Sequence, residues 1–217
     1  MLGLLLKDFI NLKRYTKIFG LFIFIYGFMA YTQKDASSFT IIFALLFTIL
    51  TMSSYAYDEV AKWDVYALTM PISREEIVRS KYYLMLLLVA LSFAFSTVFT
   101  IVLNFILGIA NIYLGLEACY IAASVIVLFY SITLPIITKL GIEKARIIFF
   151  AVYMIPVVIG YFIKKAANAG MIKIPTRLLE ISKIAIQYRF IVIPIVLLIA
   201  LWISYEIAIR IYQKKEF

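Results

Sequence analysis

Six apolar runs follow one another along this chain, each near the roughly 17–25 residues that a helix needs to cross the hydrocarbon core of a bilayer. They lie at Ile18–Thr32, Phe39–Tyr57, Tyr82–Ile109, Leu116–Thr138, Ile147–Ile163 and Phe190–Ile209. Only short charged pieces separate them, too small to hold a soluble domain of their own. In hydrocarbon every backbone polar group has to be satisfied internally, and for runs of this length that means helices. The fold class expected is therefore an all-α polytopic membrane protein. Residues 1–217 form a single transmembrane domain with six spans, an amphipathic N-terminal helix and a short cytoplasmic helix. With 65% apolar residues and a mean hydropathy of +1.02, no soluble globular class fits. Met1–Leu6 is too short for the apolar core of a secretion signal, and the charges follow it instead of preceding it.

The formal charge is +9. A nucleic-acid partner would need a basic soluble module, and none is present; positive-inside anchoring explains the excess. With the N-terminus inside, fourteen of the 21 Lys and Arg residues fall on the cytoplasmic side and seven outside, which predicts both termini in the cytoplasm. Six of those seven lie in one piece, residues 164–189. There Ala166–Gly170 reads as a break, after which Ile174, Leu178, Ile181, Ala185 and Tyr188 recur at helical spacing. An extracellular segment, re-entrant or lying on the lipid surface, is expected. Residues 1–17 read as an interfacial helix with Leu2, Leu5, Leu6, Phe9 and Leu12 on one face and Lys7, Asn11 and Arg14 on another. No internal repeat of the inverted-repeat transporter kind is visible.

Catalysis fails on inventory. There is no His and one Cys, Cys119, so zinc-hydrolase, Ser–His and Cys–His chemistry are all out of reach. All four Asp (Asp8, Asp35, Asp58, Asp64) lie outside the spans, and no phosphate-binding Gly-rich loop with its Lys exists. No catalytic residue, metal or cofactor is assigned to this chain. Few polar or helix-bending residues fall within spans. Asn104 is either a helix–helix hydrogen bond or part of a pathway. Glu206 is an interfacial ion pair with Arg210 or a relay. Pro156 should kink span five, and Gly160 allows a close helix approach. These four are the pathway or gating candidates. Glu117 reads as interfacial, Pro135 and Pro194 sit near span ends, and the tyrosines gather at the predicted interfaces.

The longest charged interruption in the first two-thirds, residues 58–81, carries a helix start. Ser73 and Glu76 are spaced as a capping box, with Ile72 and Ile77 at the hydrophobic-staple positions. Pro71 stops what precedes. Glu75 and Glu76 occupy the first turn, and Arg79 follows Glu75 by four residues. Upstream, Val60, Trp63, Ala67 and Met70 can line one face of a short helix. No Gly or Pro interrupts residues 73–106, so the capped helix is expected to run directly into span three.

These residues also carry a resemblance. Asp58-Glu59, Trp63, Leu68-Thr69-Met70-Pro71-Ile72-Ser73-Arg74, Glu75-Glu76 and Lys81, in that order before a span, resemble type-2 ABC exporter permeases, and the resemblance extends over the whole chain. It implies a transmembrane subunit in a bacterial cytoplasmic membrane. That subunit pairs with a second permease copy, identical or related, and with two copies of a cytosolic ABC ATPase that binds Mg-ATP. By position, Trp63, Asp64, Pro71, Ile72, Ser73, Arg74, Glu75, Glu76 and Arg79 would form the ATPase coupling site, with residues 1–17 as the connecting helix. Residues 164–189 would gate release, and substrate would pass along spans two and five. The compact form is similar to bacterial exporters of amphipathic peptides. Two other classes also accommodate six spans: the substrate-binding membrane module of a vitamin importer, and a structural or sensory membrane protein that transports nothing.

Overall fold

The computed structural model describes residues 2–33, 37–107, 112–168 and 187–215. Among them every regular element is helical. Helix α1 is Leu2–Leu12, followed by one 3-10 turn at Lys13–Tyr15 and by α2, Thr16–Gln33. Then come α3, Ser37–Val60; α4, Trp63–Ala67; α5, Arg74–Leu107; α6, Ile112–Leu140; α7, Ile142–Asn168; and α8, Arg189–Gln213. By length and composition α5, α6 and α8 are each able to cross a membrane. The α1–α2 pair, bent by 58° at its junction, counts as a fourth if taken as one broken span.

Contacts at the helix ends fix the direction of each helix. At one end, here the charged end, α1 meets the end of α3 through Lys7 and Asp58 and the start of α5 through Asp8 and Lys81. Tyr57 near the end of α3 hydrogen-bonds Tyr15, just before α2. Arg74, opening α5, donates to the last carbonyls of α8, and Glu59 meets the turn from α6 to α7. At the distal end Phe39 of α3 stacks on Phe99 of α5 with ring centroids 3.6 Å apart. Glu117 of α6 pairs with Arg189 at the start of α8, 2.6 Å away. So α2, α3, α5, α6, α7 and α8 alternate in direction, and α1 and the end of α8 share the charged end.

Between helices in lipid there is little hydrophobic drive, so association rests on close packing and polar contacts. Gly115 of α6 shows the first: a Cβ there would sit 2.5 Å from Thr100 Cγ2 of α5, so only glycine permits that approach. The main core joins α5, α6 and α8 through Tyr82, Met85, Tyr130, Leu134, Ala208 and Tyr212. A second cluster, Ala30, Phe39, Phe43 and Leu103, closes the distal end. A third, Leu12, Leu50, Leu84 and Leu88, seats α1 on α3 and α5. Hydroxyls buried in the bundle mostly bond back to their own helix, as Thr48 does to the Ala44 carbonyl at 3.0 Å. Phe24, Phe150 and Trp202 face outward, as side chains solvated by lipid tails can.

Two local expectations change. Helix α7 continues through Ala166–Ala167–Asn168, where a break was expected, because alanine is the strongest helix former and the nearest glycine comes only at 170. The remainder of that expectation, including Ile174, Leu178, Ile181 and Ala185, lies outside the described residues. The face of Val60, Trp63, Ala67 and Met70 does not form. Lys62 takes a left-handed conformation (φ 47°) that ends α3 and re-aims the chain, leaving Val60 86% exposed and Ala67 fully buried.

Candidate functional site

The elbow between α3 and α5 is built as its spacing predicts. The Ser73 N–H donates to Glu76 Oε2 at 3.0 Å, and the Glu76 N–H donates to Ser73 Oγ at 3.2 Å. Two helix-terminal donors are thereby satisfied reciprocally. Ile72 packs against the core cluster that contains Ile77. From this cap α5 runs unbroken for 34 residues, about 51 Å at 1.5 Å per residue. A hydrocarbon core takes about 30 Å of that, so a stretch of α5 stands clear of it as one rigid piece with the span.

The elbow is also fastened to the end of α8. Arg74 Nη1 donates to the carbonyls of Gln213, Lys215 and Tyr212 at 2.6, 3.1 and 3.3 Å, at the end of α8 where carbonyls run out of intrahelical partners. Arg79 pairs with Glu75 and donates to the Tyr205 hydroxyl at 3.2 Å, which itself donates to Glu75. Lys215 lies 3.8 Å from Asp64. Of the nine residues predicted to contact a partner, all but Pro71 thus have internal contacts: Trp63 and Ile72 pack on the core, and Asp64, Ser73, Arg74, Glu75, Glu76 and Arg79 make hydrogen bonds or ion pairs. The large apolar side chains exposed at the elbow are Val60, Val65 and Tyr66. Val65 and Tyr66 carried no sequence signal, because a five-residue helix is too short for a period to show.

Beneath the elbow lies a buried charge cluster that sequence reasoning missed. Asp8 is 1% exposed, Lys81 5% and Asp58 8%. Lys81 Nζ contacts Asp8 at 3.0 Å, Asp58 at 2.5 Å and Ser54 Oγ at 2.8 Å. Lys7 Nζ contacts Asp58 at 2.6 Å and Asp8 at 3.2 Å, and sits 4.3 Å from the Trp63 ring centre. Two cations and two anions therefore balance, which is what burial of charge demands. The cluster ties α1 to α3, α4 and α5. The N-terminal helix is docked on the bundle through a mixed face that carries Leu4, Asp8 and Leu12, while Leu6 and Ile10 face outward.

The neighbouring acid does a different job. Glu59 accepts a hydrogen bond from the Ile142 N–H at the start of α7, where the helix dipole favours negative charge. Gly141 makes the turn with φ 77°, and a Cβ there would lie 2.9 Å from Glu59 Oε1. A cleft of about 270 Å³ opens beside these groups, lined by Asp58, Glu59, Asp64, Lys81, Lys139 and Lys215 among others.

The four pathway candidates are not brought together. Asn104 is buried near the distal end and donates to the Thr100 carbonyl of its own helix at 2.8 Å. Glu206 lies near the charged end of α8; among the described residues no ion pair joins it to Arg210. Pro156 and Gly160 lie on α7, Gly160 with open space where a Cβ would be. Cys119 is buried, with Thr40 and Thr100 hydroxyls at 3.5 and 3.6 Å. An apolar groove of about 650 Å³ lies between α3, α6 and α7, with Leu45, Ile49, Met52, Phe149 and Phe150 on its walls.

A family model described as ABC-2 family transporter protein matches residues 3–213. The chain belongs to the ABC-2 transporter family. No curated protein and no solved structure matches it. As an ABC-2 permease it is the integral membrane part of a transporter, and the family partners its permeases with an ABC ATPase.

Proposed function

We propose that this permease is the transmembrane subunit of a bacterial exporter in the cytoplasmic membrane, working with a second permease copy and two ATPase copies. In this reading α2, α3, α5, α6, α7 and α8 are six spans, the charged end faces the cytoplasm, and the elbow from Trp63 to Arg79 seats on the ATPase. The observation that carries the reading is the continuity of α5. A capped, internally braced helix start is one rigid body with a membrane span, so a push on the elbow displaces the span. Val65 and Tyr66 supply the apolar contact surface, and Pro71, Ser73 and Arg79 form its exposed rim. The apolar groove between α3 and α7, the second and fifth long helices, supports passage of an amphipathic peptide or similar apolar substrate; it offers no charged group to coordinate an ion. Residues 164–189 are the segment proposed to gate release outside.

Purification of the permease in mild detergent from its host tests the reading: a cytosolic ATPase should accompany it, and amphipathic peptides should stimulate hydrolysis. Arg74 and Glu76 are unsuitable for probing docking, because both hold the elbow together. Val65→Asp with Tyr66→Asp changes only exposed side chains. It should lower ATPase retention about tenfold or more, the loss expected when an interface aromatic goes, with the thermal midpoint of the permease unchanged. Undiminished retention by that double variant would remove the elbow as the docking site. Absence of any ATPase with the native protein would remove the coupling reading altogether.

A further inference from the structure

The 58° bend between α1 and α2 leaves a wedge that none of the described elements fills. A groove of about 600 Å³ occupies it, walled by Phe9 of α1, Phe19 and Ile23 of α2, Phe47 of α3 and Leu88 of α5. Among the described residues, Lys13 is the single formally charged one on its lining. Gly20 also lines it, and a Cβ at Gly20 would meet no atom within 4 Å. Lys13 lies on the lining, Arg14 and Lys17 follow it within four residues, all three are exposed, and every charged residue from 13 to 33 is positive.

We propose that this groove binds an anionic diacyl phospholipid from the leaflet in which the charged end lies. The walls exclude water on energetic grounds, since an apolar surface of this extent is poorly hydrated, and leaving the space empty forfeits dispersion contact. A bilayer offers an acyl chain at that depth. The chemistry beside the groove selects the headgroup: basic side chains next to a membrane helix attract anionic lipid, and among the described residues no carboxylate lines the groove to oppose it. The tail lies against the aromatic wall and crosses Gly20, where the missing side chain leaves it room. The phosphate sits at Lys13, with Arg14 and Lys17 adding to the local positive field. The bound lipid thereby fills the elbow of the N-terminal helix and holds its angle.

The test uses the full-length permease reconstituted into vesicles of equimolar phosphatidylglycerol and phosphatidylcholine, extracted gently and weighed by native mass spectrometry. Native protein should retain a stoichiometric phosphatidylglycerol in preference to phosphatidylcholine. Gly20→Phe, which puts a ring into the groove, should abolish that retention, and Lys13→Glu should reduce it about tenfold, the size expected for reversing one charge at the headgroup. Gly3→Phe, at an exposed glycine outside the groove, should retain lipid as the native protein does. Circular dichroism melts of all three variants establish that they are folded. Equal retention of the two lipids, or unchanged retention in folded Gly20→Phe, overturns the proposal. So does a result in which Gly20→Phe dissociates a permease dimer while lipid retention stays constant, because the occupant would then be a second copy of this chain.

Discussion

Replacing Lys81 by methionine keeps the length and volume of the side chain and removes its charge. In the native cluster Lys81 is 5% exposed and contacts Asp8, Asp58 and Ser54. Its loss leaves two buried carboxylates facing one cation, Lys7, whose distance to Asp8 is already 3.2 Å. Breaking one partner out of a buried pair typically costs about 3–5 kcal/mol, most of it from the uncompensated charge. For a chain of this size that lowers the thermal midpoint by roughly 6–20 °C. Asp8→Leu combined with Lys81→Met restores neutrality, since Lys7 and Asp58 remain as a pair. Replacing a buried ion pair by apolar groups is often close to neutral, so the double variant should recover most of what Lys81→Met loses. The assay is thermal unfolding of the purified permease in one detergent, with Asp8→Leu alone completing the cycle. A coupling of about 2 kcal/mol or more between the two sites is expected, within the range for residues that share a network. Additive losses, with the double variant no better than the sum of the singles, would refute the account of this cluster as a balanced set of charges.

Two further outcomes follow from the same end of the bundle. Ser73→Ala removes the acceptor for the Glu76 N–H and should cost about 1 kcal/mol, read as a drop of roughly 2–4 °C in the melting midpoint; Ser73→Asp, which keeps an acceptor, should show no such drop. Gly141→Ala puts a Cβ both into a left-handed backbone and against Glu59. The backbone alone contributes about 1–2 kcal/mol of destabilisation, so Glu59→Ala in the same chain should recover only part of the loss in chemical unfolding.

Much of the fold was legible in the sequence, because in a bilayer the requirement is one-dimensional. A backbone without water must be helical over the thickness of the hydrocarbon, and a run of apolar residues states that directly. The long helices therefore lie close to the six apolar runs, and the Ser73–Glu76 cap was readable because its partners are three residues apart. What depends on residues far apart in the chain was not readable. Asp8 lies 73 residues from Lys81 and Lys7 lies 51 from Asp58, and no spacing rule connects them. Arg74 and the carbonyls of α8 are a further case: a position that looks free for a partner is occupied by the chain's own C-terminal end. Asn104, read from the sequence as either a helix–helix hydrogen bond or a pathway residue, donates to the Thr100 carbonyl of its own helix. Local hydrogen-bond geometry and hydropathy set which segments become helices. Charge neutrality under burial, and the space left at a bend, are properties of the assembled bundle, so only the tertiary structure decided which charges meet and where a groove remains open.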